Sequence, residues 1–183
     1  QDNAIDLAIM GRPAKCLDAL AEPLAQHPHV IIANVNHALR KAKKFDLQEL
    51  RGETVLLREP GSGTRAVAEE MFKNHLFTPK KIVTLGSNET IKQAVMAGMG
   101  VSLLSLHTLG LELRSDVIAI LDVMGTPVTR TWHVVHMRTK SLSPPALEYR
   151  KFMLDNAAEF LEREFASYVA VRKSAKKSNR GKR

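Results

Sequence analysis

The stretch "LREPGSGTRAVAEEMF", residues 57–72, decides the fold, because it begins as an apolar strand and ends as an amphipathic helix. Residues 60–65 lie between the two and have the composition of a strand-to-helix turn. A nucleophile elbow requires Gly-x-Ser-x-Gly and a Walker A loop requires a lysine after its last glycine, and this turn has neither pattern. Ser62 or Thr64 can cap the helix while Arg65 points into solvent. Alternatively, helix N–H groups, both hydroxyls and the Arg65 cation bind an anion.

Strands and helices alternate along the rest of the chain. Strand patterns cover residues 4–10, 30–35, 54–59, 81–86, 100–105, 116–123 and 128–137. Helix patterns cover residues 45–50, the stretch from the turn to about residue 76, 87–98, 106–113 and the stretch that Ser143 caps. The apolar face of that last helix is predicted to hold Leu147, Tyr149, Phe152, Met153, Phe160 and Leu161. The alternation predicts an α/β fold with a mostly parallel sheet and helices on both faces.

The strand count predicts two lobes. Residues 34–126 hold a complete run of strand–helix units, whereas residues 1–33 and 127–165 each hold too few strands for a core. We therefore expect the two flanks to form one discontinuous lobe, joined to the other by two chain crossings. A cleft between two such α/β lobes is a ligand-binding architecture.

Composition and charge indicate a globular protein with a basic C-terminal tail. The chain is 44% hydrophobic and 25% charged, as globular proteins are, and no apolar run approaches the roughly 20 residues that span a membrane. The net charge is +8, but seven of the 27 basic residues lie between Arg172 and the end, leaving 20 against 19 acidic residues. Residues 166–183 are therefore predicted to be a basic, disordered tail. The single cysteine, Cys16, and the absence of a signal-peptide pattern favour the cytoplasm.

A second strand-to-helix turn, residues 86–89, carries polar groups suited to a ligand. Ligands of open α/β sheets bind outside the carboxyl ends of the strands, so this turn and residues 60–65 can converge. Ser87 and Asn88 are its better candidates, because Glu89 in a first helical turn also complements the helix dipole. In the other lobe, Arg12 also follows the carboxyl end of a predicted strand, so it can face the cleft.

The titratable residues give no catalytic or metal-binding pattern. His133 and His136 are three positions apart on a predicted strand, so they point to opposite faces and cannot share a metal. No nucleophile with an adjacent base emerges from the sequence, which predicts a protein that is not an enzyme and has no cofactor.

Several ordered motifs resemble one family. The segments "DLAIMGRP", "LAQHPHVIIANVNHALRKAK", "LRGETVLLREPGSGTR", "GSNETIKQAVMAGMGVSLL" and "LSPPALEYRKFML" resemble the effector-binding domain of LysR-type transcriptional regulators over about residues 1–165. The forms "REPGSGTR" and "GSNETIKQAV" are most similar to the subgroup that controls Calvin-cycle (RuBisCO) operons.

The resemblance implies two periplasmic-binding-protein-like (type II) subdomains and a co-inducer in the cleft between them. It implies a phosphorylated sugar or an NADPH-like metabolite as the ligand, homodimers that pair into tetramers, and no membrane partner. DNA would be bound only through an N-terminal winged helix-turn-helix, which this sequence lacks. The first strand–helix unit of the family's first subdomain is also missing, so that subdomain should expose an unpaired sheet edge. The motifs imply as ligand contacts Arg12, Ser62, Gly63, Thr64, Arg65, Ser87 and Asn88.

A solute-binding protein of a transporter, which has the same fold, is the alternative. A signal peptide upstream would favour the transporter protein, whereas a helix-turn-helix upstream would favour the regulator.

Overall fold

Seven strands and four α-helices follow one another in the computed structural model, which describes residues 5–13 and 16–177. The strands are β1 (Ala8–Met10), β2 (Ala19–Asn34), β3 (Thr54–Arg58), β4 (Lys81–Leu85), β5 (Val101–Ser105), β6 (Ile118–Leu121) and β7 (Val128–Met137). The helices are α1 (Gly63–Asn74), α2 (Asn88–Met96), α3 (Gly110–Arg114) and α4 (Pro144–Lys177). Single 3-10 turns cover Ala38–Lys41, Leu47–Leu50 and Leu106–Thr108.

The chain divides into two units, each with its own contacts. Unit 2 is residues 28–129, and unit 1 is built from the residues before and after that segment. Both boundaries fall inside strands, β2 and β7. The sequence predicted β2 only from residue 30, because Pro23 and Pro28 interrupt the pattern and cannot donate a ladder hydrogen bond.

Unit 2 is built around β3. This strand is parallel to β4, with Arg58 opposite Leu85, and parallel to β5. β2 runs antiparallel to β5 and to β6, so the sheet is mixed and the predicted mostly parallel sheet is wrong. The three parallel strands are those joined by helical crossovers, which fix strand direction, whereas β2 enters the sheet from the other unit and is under no such constraint.

The core of unit 2 covers both faces of β3. Val55, Leu56 and Leu57 are all buried, which is the pattern of a strand enclosed on both sides. α1 contributes one buried stripe to this core, and α2 also has a buried apolar stripe. The residues of the two stripes are Val67, Ala68, Met71 and Phe72 on α1, and Ile91, Ala94 and Val95 on α2. The strand-to-helix turns after β3 and β4 are thus anchored on both sides by buried elements.

Unit 1 holds β1, most of β7 and the first half of β2, and α4 packs against these strands. β7 pairs antiparallel with β1, Ile9 lying opposite Val134, and β1 is an edge strand within the described part of the chain. α4 packs Met153, Leu154, Ala157 and Leu161 against a core of Leu24, Ala25 and Val134. An ion pair between Arg150 and Glu22 also ties α4 to β2.

The predicted apolar face of α4 was partly wrong. Met153 and Leu161 face the core, but Leu147, Tyr149, Phe152 and Phe160 are exposed, because the six predicted residues spread over too wide an arc to share one face. α4 extends to Lys177, and the basic, disordered tail predicted for residues 166–183 stays a prediction. Residues 178–183 lie outside the described residues. No helix in the described ranges is long and apolar enough to cross a membrane.

Candidate functional site

The two predicted strand-to-helix turns meet at the carboxyl ends of β3 and β4. Since these strands are parallel and in register to their last residues, both turns leave the same edge of the sheet. Arg65 in the first turn of α1 donates from Nη1 to the carbonyl oxygen of Arg58 at 3.0 Å, and lies 3.4 Å from Thr84 Oγ1 at the end of β4. The convergence that the sequence predicted is therefore present within unit 2.

Arg65 is turned toward the sheet. Its side chain is only 19% exposed, so the alternative in which it points into solvent is wrong. Its Nε donates to Glu69 Oε1 at 2.7 Å, one helical turn further along α1. The predicted cation is thus in place, but its charge is already compensated by a carboxylate.

The N-terminus of α1 keeps its donors. Ser62 occupies the N-cap position, and its carbonyl oxygen accepts from Ala66 N, but its hydroxyl makes no capping bond. The capping role predicted for the Ser62 side chain is therefore wrong. Gly63 begins the helix with nothing within 4 Å of the position of a Cβ atom, and Thr64 is half-buried beside it. The N–H groups of this first turn have no partner inside the helix, by the geometry of any helix start.

Ser87 and Asn88, the two ligand contacts predicted in the turn before α2, have different roles in the structure. Ser87 Oγ accepts from Thr90 N at 3.0 Å and lies 2.8 Å from Thr90 Oγ1, which confirms Ser87 as the cap. Asn88 Oδ1 accepts from Arg58 Nη1 at 2.7 Å. A guanidinium only donates, so the oxygen of the Asn88 amide must face it and the NH₂ group must point away.

Arg58 belongs to this site and was missed from the sequence. Its carbonyl oxygen receives Arg65 and its guanidinium holds Asn88, so one residue links the two turns. The sequence did offer one indication of this role, because Arg58 is the last residue of β3 and so lies at the edge of the sheet where both turns begin.

The charge of Arg58 is compensated locally. Its Nε and Nη2 donate to the two carboxylate oxygens of Glu59, both at 2.7 Å. The hydrogen bond from Arg58 is the main reason that the pKa of Glu59 falls to about 2, and the same bond raises the pKa of Arg58. Both groups are therefore ionised at neutral pH, and the pair has no net charge.

The arrangement suits an anion that is held by hydrogen bonds. Two helix N-termini, the Thr64 hydroxyl and the Asn88 amide provide donors, while both arginines are already ion-paired. Helix N-termini bind anions through N–H groups and the helix dipole. In the described ranges, no group of His, Cys, Asp and Glu side chains is arranged to hold a metal ion.

Arg12 lies in unit 1 and is exposed. It lines a cavity of about 530 Å³ together with Leu17, Ala21, His133 and Arg138. Arg138 is paired there with Asp18 at 3.0 Å. The predicted contact of Arg12 with a shared ligand stays a prediction, as does the cleft.

A family comparison covers most of the chain. The family described as the LysR substrate binding domain matches residues 1–158. A curated relative, the HTH-type transcriptional regulator CfxR of Cupriavidus necator, is 65% identical over 175 residues, which are 96% of this chain. The RuBisCO operon transcriptional regulator of Acidithiobacillus ferrooxidans is 38% identical over 86% of this chain. The chain spans 55% and 51% of the lengths of these two relatives.

A solved structure shares the fold. The CcmR regulatory domain of Synechocystis, in complex with 2-PG, superposes with a TM-score of 0.75 and 34% identity. The match covers 84% of this chain and 74% of that one.

Proposed function

Because the chain belongs to the LysR substrate-binding domain family, we propose that it is the ligand-sensing regulatory domain of a bacterial transcriptional regulator of carbon-fixation genes. The 65% identity to a regulator and the likeness to a RuBisCO operon regulator support this proposal over the transporter alternative.

The proposed ligand is a small, phosphorylated metabolite. Its anionic group is received by the turns after β3 and β4, through Thr64, the N–H groups around Gly63, and Asn88. Ser62 and Arg65 line the same edge, Ser87 holds the α2 turn in place, and the contact of Arg12 stays a prediction from the sequence. The 2-PG bound to the CcmR domain of Synechocystis supports a ligand of this class.

One observation carries the proposal. Two helix N-termini face one edge of one sheet, and hydrogen bonds at 2.7 Å and 3.0 Å hold their turns together. A rigid pair of N-termini offers an anion several donors in fixed directions, at little entropic cost of ordering them.

Calorimetry on the full-length regulator tests the site. We expect 2-PG or a sugar bisphosphate to bind the wild type, and Thr64→Val to weaken binding about tenfold by removing one donor to a charged group. Replacing the exposed Arg114 of α3 with alanine should leave the affinity unchanged and serves as the control. Equal affinities for the wild type and the Thr64 variant would remove this turn from the site.

In the whole protein, ligand binding is proposed to change the affinity for operator DNA, which a helix-turn-helix segment would contact. The regulator would act as a homodimer or tetramer, as the family resemblance implies. A ligand can shift this equilibrium only by its differential affinity for the two states. Mobility-shift titrations of the full-length protein on its own promoter, with and without 2-PG, check this; identical curves would contradict it.

A further inference from the structure

We infer that Arg58 is a positioning residue of the effector site, which acts by fixing the side-chain amide of Asn88 in the orientation that presents its NH₂ group to an anion. The inference rests on the proposed function, because it concerns how the same site selects its ligand.

The first step concerns the direction of the Asn88 amide. An asparagine side chain can turn either its oxygen or its nitrogen toward a ligand, and the two choices have opposite consequences for an anion. In this structure Arg58 Nη1 lies 2.7 Å from Asn88 Oδ1, and a guanidinium offers only donors. The oxygen is therefore held by Arg58, and Nδ2 is left as a donor beside the N-terminus of α2.

The second step concerns what holds Arg58. Its Nε and Nη2 form a two-pronged pair with Glu59, with both distances at 2.7 Å. This planar pair fixes the plane of the guanidinium, and so fixes the direction in which Nη1 donates. A lysine would provide one rotatable ammonium and could not maintain both contacts in the same geometry.

The third step separates this role from direct ion pairing with a ligand. The Arg58 side chain is 20% exposed, and the Glu59 carboxylate compensates its charge. A compensated guanidinium attracts an anion weakly, whereas its geometric effect on Asn88 does not depend on net charge. The structure thus assigns orientation, rather than attraction, to Arg58.

A double-mutant cycle on ligand affinity tests the inference. The full-length wild type, Arg58→Met, Asn88→Ala and the double variant are titrated with 2-PG by calorimetry. We expect each single substitution to weaken binding about tenfold, and the double variant to bind no more weakly than Asn88→Ala alone. Thermal unfolding of all four, measured in parallel, separates an effect on affinity from a loss of folded protein.

Each outcome is decisive. Losses that multiply in the double variant would show that Arg58 acts independently of Asn88 and would overturn the inference while leaving the proposed function intact. A wild type that binds neither 2-PG nor a sugar bisphosphate would overturn both. If Arg58→Met does not fold, Arg58→Lys replaces it, and we expect a loss that again disappears in the Asn88→Ala background.

NMR spectroscopy of the ligand-free protein tests whether the Asn88 amide depends on Arg58. The side-chain amide resonances of Asn88 should shift in Arg58→Met and stay in place in the control Arg114→Met. Unchanged Asn88 resonances in Arg58→Met would overturn the inference, because the amide would then not depend on Arg58.

Discussion

At the scale of single residues, the adjacent pair Arg58–Glu59 dominates the electrostatics of the candidate site. The carboxylate of Glu59 is 41% exposed, so its unusual acidity does not come from burial. The hydrogen bond from Arg58 is the main cause that lowers its pKa to about 2. The pair is therefore a fixed, neutral, planar unit at neutral pH.

We expect NMR titration of the side-chain carboxylates to find Glu59 with a pKa near 2, and Arg58→Met to return it toward the ordinary value of 4.5. Because the folded pKa lies below the unfolded one, the pair stabilises the fold above about pH 4.5 and loses this effect as the pH falls toward 2. An ordinary pKa for Glu59 in the wild type would contradict the ion pair.

Residue-level contacts could be predicted only in part. The edge at which Ser62, Thr64, Ser87 and Asn88 gather followed from the rule that parallel strands end together. The role of Arg58 did not, because its partner Asn88 lies 30 positions away and no local pattern reveals which side chain crosses between two turns. The ion pair that occupies Arg65 has the ordinary i,i+4 spacing, but spacing alone does not show whether an arginine turns inward.

At the scale of elements, α2 is joined to the chain that follows β5 by a buried lysine. Lys92 has a side chain that is 6% exposed and lies 2.7 Å from Glu89 and 2.8 Å from Glu112 of α3. Its Nζ also donates to the carbonyl oxygen of Thr108 at 3.2 Å. One ammonium thus links three short elements, α2, the 3-10 turn Leu106–Thr108 and α3.

Lys92→Met should lower the free energy of unfolding by about 2–3 kcal/mol, because it leaves the half-buried Glu112 without its cation. Urea denaturation measures the change. Adding Glu112→Gln to this variant should recover much of the loss, and Lys73→Met on the exposed face of α1 should change stability by less than about 0.5 kcal/mol. A variant as stable as the wild type would show that the lysine contributes no net stability.

Element positions were predicted well where the hydrophobic period is regular. β3, β4, β5 and the helices between them lie where the pattern placed them, because β3 and β5 are short buried runs bounded by turn residues and α1 and α2 each carry an apolar stripe with helical spacing. The first half of β2 was missed because Pro23 and Pro28 break the pattern by which a strand is predicted from the sequence. The face of α4 was misjudged because the six predicted residues spread over too wide an arc to share one face.

At the scale of the molecule, the two units differ in how much apolar surface they bury. Among the described residues, the main core of unit 2 has fifteen buried residues, while the α4 core of unit 1 has three. The only tryptophan of the chain, Trp132, lies in unit 1 and stacks on His27 with ring centroids 4.0 Å apart. Its fluorescence therefore reports on unit 1.

We expect urea to unfold the chain in two steps, with the Trp132 fluorescence change at a lower concentration than the loss of far-ultraviolet circular dichroism. The smaller core of unit 1 stabilises it less, and two probes that do not coincide are the sign of a populated intermediate. Ligand at saturating concentration serves as the control and should raise the midpoints. Coincident transitions by both probes would contradict separate unfolding.

The division of the chain also sets an order of events during synthesis. Unit 2 is one continuous segment, so its buried contacts can form as soon as residues 28–129 have left the ribosome. Unit 1 needs β2, β7 and α4, which lie on both sides of that segment. Its first residues therefore cannot form their contacts with β7 and α4 until more than a hundred further residues have been translated. The segment that carries both turns of the candidate site is thus the first whose buried contacts can form, before the residues of unit 1 that follow it have been translated.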